Sequence, residues 1–192
     1  MASFAFDFDV QLMCRVRDGD ANSFAVLTER HRTAVVHFLY RMVQNQAVAE
    51  ELAQEVFLRV YRSRMTYAPS AKFTTWLFRI ATHLALNWLR DGRFERNRES
   101  LDGDTFGGSI RQVPDRNPTA EQSLLAGVRI QEIRDAIGRL STNQKTAVIM
   151  HKYQEMDYSQ IAGVLNCSES AVKSLLFRAY ERLRAQLAHL AA

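Results

Sequence analysis

The sequence is poor in the residues that break helices. Only 8 glycines and 3 prolines occur among its 192 residues, about half the share usual in proteins. That scarcity argues against an all-β architecture and favours helices almost throughout. Cysteine is nearly absent as well: Cys14 and Cys167 stand far apart, with no C-x-x-C and no neighbouring His pair. A reduced, cytoplasmic protein without structural metal or cofactor fits this usage. No apolar run approaches the ~20 residues of a membrane span, and even residues 82–89 are interrupted by His83 and Asn87. The start carries Asp7 and Asp9 but no basic segment leading into an apolar core, which argues against a secretory signal. What is present is a 47% hydrophobic fraction, enough for packed cores and too much for a mostly disordered chain.

The few breakers are clustered. Gly92, Gly103, Gly107, Gly108, Pro114 and Pro118 all fall within residues 91–118, where the aromatics are Phe94 and Phe106 and no helical apolar stripe runs. A loop of that length inside one compact domain is unusual. The stretch therefore reads as a flexible linker between a domain at residues 1–90 and another at residues 119–192. Charge divides along the same lines. Residues 67–100 carry 6 basic and 3 acidic groups and residues 139–192 carry 7 and 4, whereas residues 1–66 are balanced at 8 and 8. Two basic patches on a tether suggest one polyanion touched twice.

Apolar periodicity predicts four helices in the first domain. A short one near residues 9–17 ends at Asp18-Gly19-Asp20. A long one carries Phe24, Leu27, Thr28, His31, Val35, Phe38, Leu39 and Met42 on its inner face. A third covers about residues 47–64 with Val48, Leu52, Val56 and Val60 inward. After a break at residues 67–70, the fourth has a stripe of Phe73, Trp76, Leu77, Ile80, Ala81, Leu84 and Trp88. Beyond the linker, Thr119 with Gln122, Ser141 with Gln144, and Asp157 with Gln160 have capping-box spacing. Ile130, Ile133, Ile137 and Leu140 mark the helix that follows the first of these.

Residues 157–180 have the layout of a helix-turn-helix. Ile161 and Leu165 would face Val172 and Leu176, Ala162 is small where the second helix crosses, and Ser168 can cap that helix. Its N-terminal end would then enter a major groove, with Ser170, Lys173, Ser174, Phe177 and Arg178 outward. In the first domain, Lys72, Thr75, Arg79, His83, Leu86, Asn87 and Arg90 share a second face of the fourth helix, followed by Arg93, Arg96 and Arg98. A basic face beside aromatics suits single-stranded nucleic acid, where stacking contributes ~1–3 kcal/mol per base. On the third helix Glu51, Glu55 and Leu58 form an acidic face with one apolar member. Two uses remain open for it: a solvated surface, or a docking face for a basic partner protein.

Taken together, the chain resembles the bacterial RNA polymerase sigma factors of the extracytoplasmic-function (ECF) type. The resemblance rests on Gly19-Asp20 with Phe24, on residues 49–58, on residues 73–81, on residues 158–162 and on residues 168–178. It implies an all-α fold of two small helical domains, sigma region two and sigma region four, on either side of the linker. It further implies that Glu50, Glu51, Gln54, Glu55, Phe57 and Leu58 dock on the polymerase core. Lys72, Phe73, Thr74, Thr75, Arg79, His83, Asn87 and Arg90 would open and read the start-proximal promoter element as single strand. Ser168, Ser170, Lys173, Ser174, Phe177 and Arg178 would read the upstream element as duplex. An anti-sigma factor is a further expected partner. Departures from the family pattern are Ser141 in place of Pro, His83 in place of Asn and Leu175 in place of Arg.

Magnitudes favour a subunit of a larger machine. Opening about ten base steps costs on the order of 14 kcal/mol at ~1.4 kcal/mol each, beyond a pocket holding one or two bases. Elements two helical turns apart lie ~70 Å from each other. A 28-residue linker stretches to roughly 95 Å but averages only ~30 Å, so a scaffold must set the distance. An autonomous helix-turn-helix regulator is the alternative, and it leaves the acidic face and the fourth helix without a task. A helical enzyme lacks support, because no nucleophile–base pair, phosphate loop or metal-ligand spacing is evident.

Overall fold

A computed structural model describes the backbone of residues 7–99 and 120–190, and the side chains of residues 7–92 and 127–190. Among the described residues the structure is all-helical. The N-terminal half comprises α1 (Phe8–Arg17), α2 (Ala21–Val43), α3 (Gln46–Arg62) and α4 (Phe73–Glu99), with a 3-10 turn at Arg64–Thr66. The C-terminal half comprises α5 (Ala120–Gly138), α6 (Thr142–Tyr153), α7 (Tyr158–Leu165) and α8 (Glu169–Gln186), followed by a 3-10 turn at Ala188–Leu190.

Local signals set these boundaries. Asp7, Asp20, Asn45, Asp157 and Ser168 each accept a backbone N–H in the first turn of the helix they precede, satisfying groups that have no partner inside the helix. The α1–α2 corner is a Schellman turn: Gly19 takes φ +100°, its N–H donates to Val16, and that of Asp20 donates to Arg15. Two of the expected capping boxes are formed, at Ser141 with Gln144 and at Asp157 with Gln160. The box expected at Thr119 and Gln122 lies outside the described residues.

Two differences from the sequence reading concern α4 and α5. The helix α4 continues to Glu99, so residues 91–99, expected to be linker, are helix; Gly92 is the one breaker among them. The rest of that stretch lies outside the described residues. On α5, Ile133 is 37% exposed and, among the described side chains of the helix, the buried one is Ala136, so the apolar spacing there does not mark one buried face.

The halves also touch each other. Helix α6 packs on α2, and α7 packs on α4. One hydrophobic core runs through both, from Val10 and Met13 through Phe38, Met42 and Leu77 to Ile149, Ile161 and Leu176. On α6 the seven consecutive residues from Gln144 to Met150 are all buried. A helix covered all round is a central helix, and here its cover comes from α2 on one side and α7 and α8 on the other.

Candidate nucleic-acid and polymerase interfaces

The C-terminal site is built from packing and capping. Ile161, Val164, Val172, Leu176 and Ala179 are buried between the helices, Ala162 is 8% exposed, and Leu165 is partly covered. Asn166 closes α7 in the left-handed region at φ 52°, a conformation Asn tolerates better than most residues. The hydroxyl of Ser168 accepts the Ala171 N–H at 3.2 Å and starts α8. With that seam fixed, Ser168, Ser170, Lys173, Ser174, Phe177 and Arg178 are all exposed. Phe177 shows 69% of its surface, which no packing role explains. Lys173 lies 5.9 Å from the centre of the Tyr158 ring. Tyr158 in turn stacks on His151, whose Nδ1 meets the Tyr180 hydroxyl at 2.9 Å. Burial pushes the Tyr180 phenol above its ordinary range, with Tyr158 adding to it.

On α4 the structure divides the expected set. Lys72, Arg79, His83, Asn87 and Arg90 are exposed and lie along one face, and Thr74 is half-buried. Phe73 is a correction: it is fully buried, in contact with the rings of His31, Tyr67 and Trp76, and cannot reach nucleic acid. It occupies the first position of the helix on the apolar stripe, where it locks α4 to α2. Thr75 is also partly covered, with its Oγ1 buried and without a hydrogen-bond partner among the described residues.

On α3, Glu50, Glu51, Gln54 and Leu58 are exposed, and Glu55 is held by Arg59 at 2.7 Å. Phe57 is only 7% exposed. It lines a groove of about 590 Å³ between α2 and α3, together with Glu50, Gln54, Leu58, Phe24 and Tyr61. The sequence did not reveal the groove, although the tilted ring pair Phe24–Tyr61, 5.0 Å between centres, lines one part of it. Phe24 and Tyr61 fall on separate helices, and no spacing within either helix signals their meeting.

Other histidines and carboxylates tie helices together. His31 and Arg30 both bind Asp9 at 2.9 Å, tying α2 to α1, and His189 meets Glu132 at 2.9 Å. No cluster able to hold a metal ion occurs among the described residues, and no described helix is long and apolar enough to cross a membrane.

The fold and sites define a two-part helical protein with a basic helix in each half and a grooved, partly acidic face on the first. Two family models match, Sigma-70 region 2 at residues 27–95 and Sigma-70 region 4 at residues 130–183. The RNA polymerase sigma factor CarQ of Myxococcus xanthus is 34% identical, with 93% of this chain and 97% of that protein covered. The ECF RNA polymerase sigma-E factor of Haemophilus influenzae is 31% identical over 91% of this chain and 93% of its own. Among solved structures, CnrH in complex with the cytosolic domain of CnrY shares the fold at a TM-score of 0.71 and 20% identity, covering 95% of this chain and 99% of that one. The chain belongs to the ECF RNA polymerase sigma factors. It is an alternative sigma factor, a transcription initiation factor that binds core polymerase and promoter DNA.

Proposed function

We propose a division of labour among three surfaces. The groove and exposed acidic residues of α3, with Glu50, Gln54, Phe57 and Leu58 as its centre, dock on core polymerase. The stripe Lys72, Arg79, His83, Asn87 and Arg90 on α4 holds the opened strand of the start-proximal element. The outer face of α8 reads the upstream element in duplex form. Residues 1–90 and 119–192 then act as separate recognition modules working in the cytoplasm. A sigma factor RpoE from Bartonella quintana shares the fold at a TM-score of 0.65 and 19% identity, covering 87% of this chain and 98% of that one, and was solved in complex with the anti-sigma factor NepR. An anti-sigma protein is likewise proposed as a partner here.

The observation that carries this reading is the exposed set on α8. Ser170, Lys173, Ser174, Phe177 and Arg178 stand together on one side while Val172, Leu176 and Ala179 are buried on the other. Side chains of that kind at the start of a second helix are what a major groove accepts. Gel shift on promoter duplex, with and without core polymerase, tests it. Specific retention that needs core polymerase supports the reading. Strong specific binding by the chain alone would instead favour an autonomous regulator.

A further inference from the structure

We propose that Asn143 grips the sugar-phosphate backbone of the upstream duplex, one strand of which lies in a groove between the start of α6 and the flank of α8. The inference rests on the reading of α8 given above and deepens it: α8 reads base edges, and the groove holds a strand that runs beside it.

Helix geometry calls for such a surface. With its side chains an α-helix is about 10–12 Å across, and the major groove is about 12 Å wide. A helix seated there has a backbone wall along each flank. On α8, Lys173 and Arg178 are about 140° apart around the axis at 3.6 residues per turn, with Ser170, Ser174 and Phe177 between them. Lys173 is on the side of Tyr158, 5.9 Å from the centre of its ring. Arg178 is on the other side, where a groove of about 490 Å³ extends to Asn143.

That groove has the make-up of a backbone cradle. Leu165, Ala171 and Leu175 are half-buried in its floor, while Asn143, Ser170 and Arg178 are exposed along its rim. An apolar floor suits the C–H face of a deoxyribose, and a polar, cationic rim suits the phosphates on either side of it. No carboxylate lines this groove among the described residues, whereas the groove between α2 and α3 carries Glu50.

Hydrogen bonding leaves suitable donors free. Gln144, the neighbour of Asn143, is 5% exposed and accepts both the Ser141 N–H and Arg182 Nη1 at 3.3 Å. Arg184 pairs with Glu181. The Asn143 amide and the Arg178 guanidinium have no such partner among the described residues. The Ser174 hydroxyl donates to the Ser170 carbonyl at 3.0 Å, so its proton is not available to a phosphate. An amide has two N–H donors, and Asn is among the usual donors to phosphate oxygens. Asn143 is the lining residue that α6 contributes, so it holds the strand from the side opposite α8.

The test uses the full chain with core polymerase on duplex carrying the upstream element, read by gel retention across a salt series. Asn143→Asp keeps the shape and sets a negative charge against the phosphates. An acidic residue in the first turn favours a helix, so the variant should melt at or above the parent's temperature, and lost binding is then not unfolding. Asn143→Lys makes the opposite change at the same place. Asn143→Asp is expected to bind about threefold more weakly or worse, on promoter and scrambled duplex alike, with the order of base preferences unchanged. Asn143→Lys should bind more tightly, with the slope of log affinity against log salt steeper by about 0.9. Uncharged methylphosphonate linkages, placed singly along each strand, locate the contact: at neighbouring positions on one strand they should remove the difference between Asn143→Asp and the parent. A folded Asn143→Asp protein with the parent's affinity, a loss that no uncharged linkage removes, or an altered base preference at unchanged overall affinity would overturn the contact. A parent complex that binds promoter and scrambled duplex equally while the linkage effect persists would overturn the promoter reading and leave the backbone contact standing.

Discussion

The Asp20 carboxylate accepts the Ser23 hydroxyl at 2.7 Å while it also accepts the backbone N–H groups of Asn22 and Ser23. These bonds, the Ser23 hydroxyl first among them, hold the Asp20 carboxyl below its ordinary value of 3.8. A group with a lowered folded-state value stabilises the fold above its unfolded value and loses that contribution as pH falls through the folded one. Asp20→Ala is therefore expected to lower the melting temperature at pH 7. The gap between variant and parent should narrow below about pH 4, as thermal unfolding followed by circular dichroism across pH will show.

Tyr67 offers the opposite sign. Its ring packs on Trp76 at 4.9 Å between centres, and its hydroxyl is buried without a partner among the described residues. Burial first, then nearby Cys14, Asp7 and Asp9, pushes the phenol from 10.0 up to about 12. Between those values the unfolded chain releases the proton and the folded one keeps it, so stability falls as pH rises through that window. Tyr67→Phe should raise stability by about 1 kcal/mol at neutral pH, the cost of an unsatisfied buried group. It should also flatten the decline above pH 10 in denaturant titrations.

On α8, Lys173→Ala with Arg178→Ala removes two exposed cations and no buried contact. A side chain that contacts a base edge contributes about 1–3 kcal/mol, so losing two should lower upstream-element affinity of the polymerase complex by about 30-fold or more. Affinity for core polymerase, measured by fluorescence anisotropy, should stay the same. An equal loss in both would contradict the separation of tasks between the halves.

For the groove, Leu58→Glu replaces a side chain that is 42% exposed beside Gln54 and Phe57. A charge introduced at the centre of a protein interface costs more than about 1 kcal/mol. The variant should bind core polymerase at least about fivefold more weakly, with melting temperature unchanged within a degree or two.

Much of this architecture was legible because local chemistry encodes it. Ser141 and Asp157 announce helix starts through their spacing to Gln144 and Gln160, Ser168 does so as a capping residue type, and the Ile161–Val172–Leu176 seam follows from helical period alone. Phe73 falls on the apolar stripe of α4 by its own spacing, and its burial follows from that; only the family resemblance, which takes residues 72–75 as one block, sets it among the nucleic-acid contacts. The contact between the halves was not legible: Lys145 reads as a solvated residue near a helix start. A signal was present in Ala147, Val148, Ile149 and Met150, four successive apolar residues that no single helix face can hold. Such a run implies cover on two sides, and α2 provides the second.

Run-off transcription with purified core polymerase over a library of promoters tests the central claim most directly. The expected result is initiation at a defined set of start sites that core polymerase alone does not use, strongly reduced by Leu58→Glu and shifted or weakened by Lys173→Ala with Arg178→Ala. A chain that fails to join the polymerase, or that joins it and leaves the choice of start sites unchanged, would contradict the account.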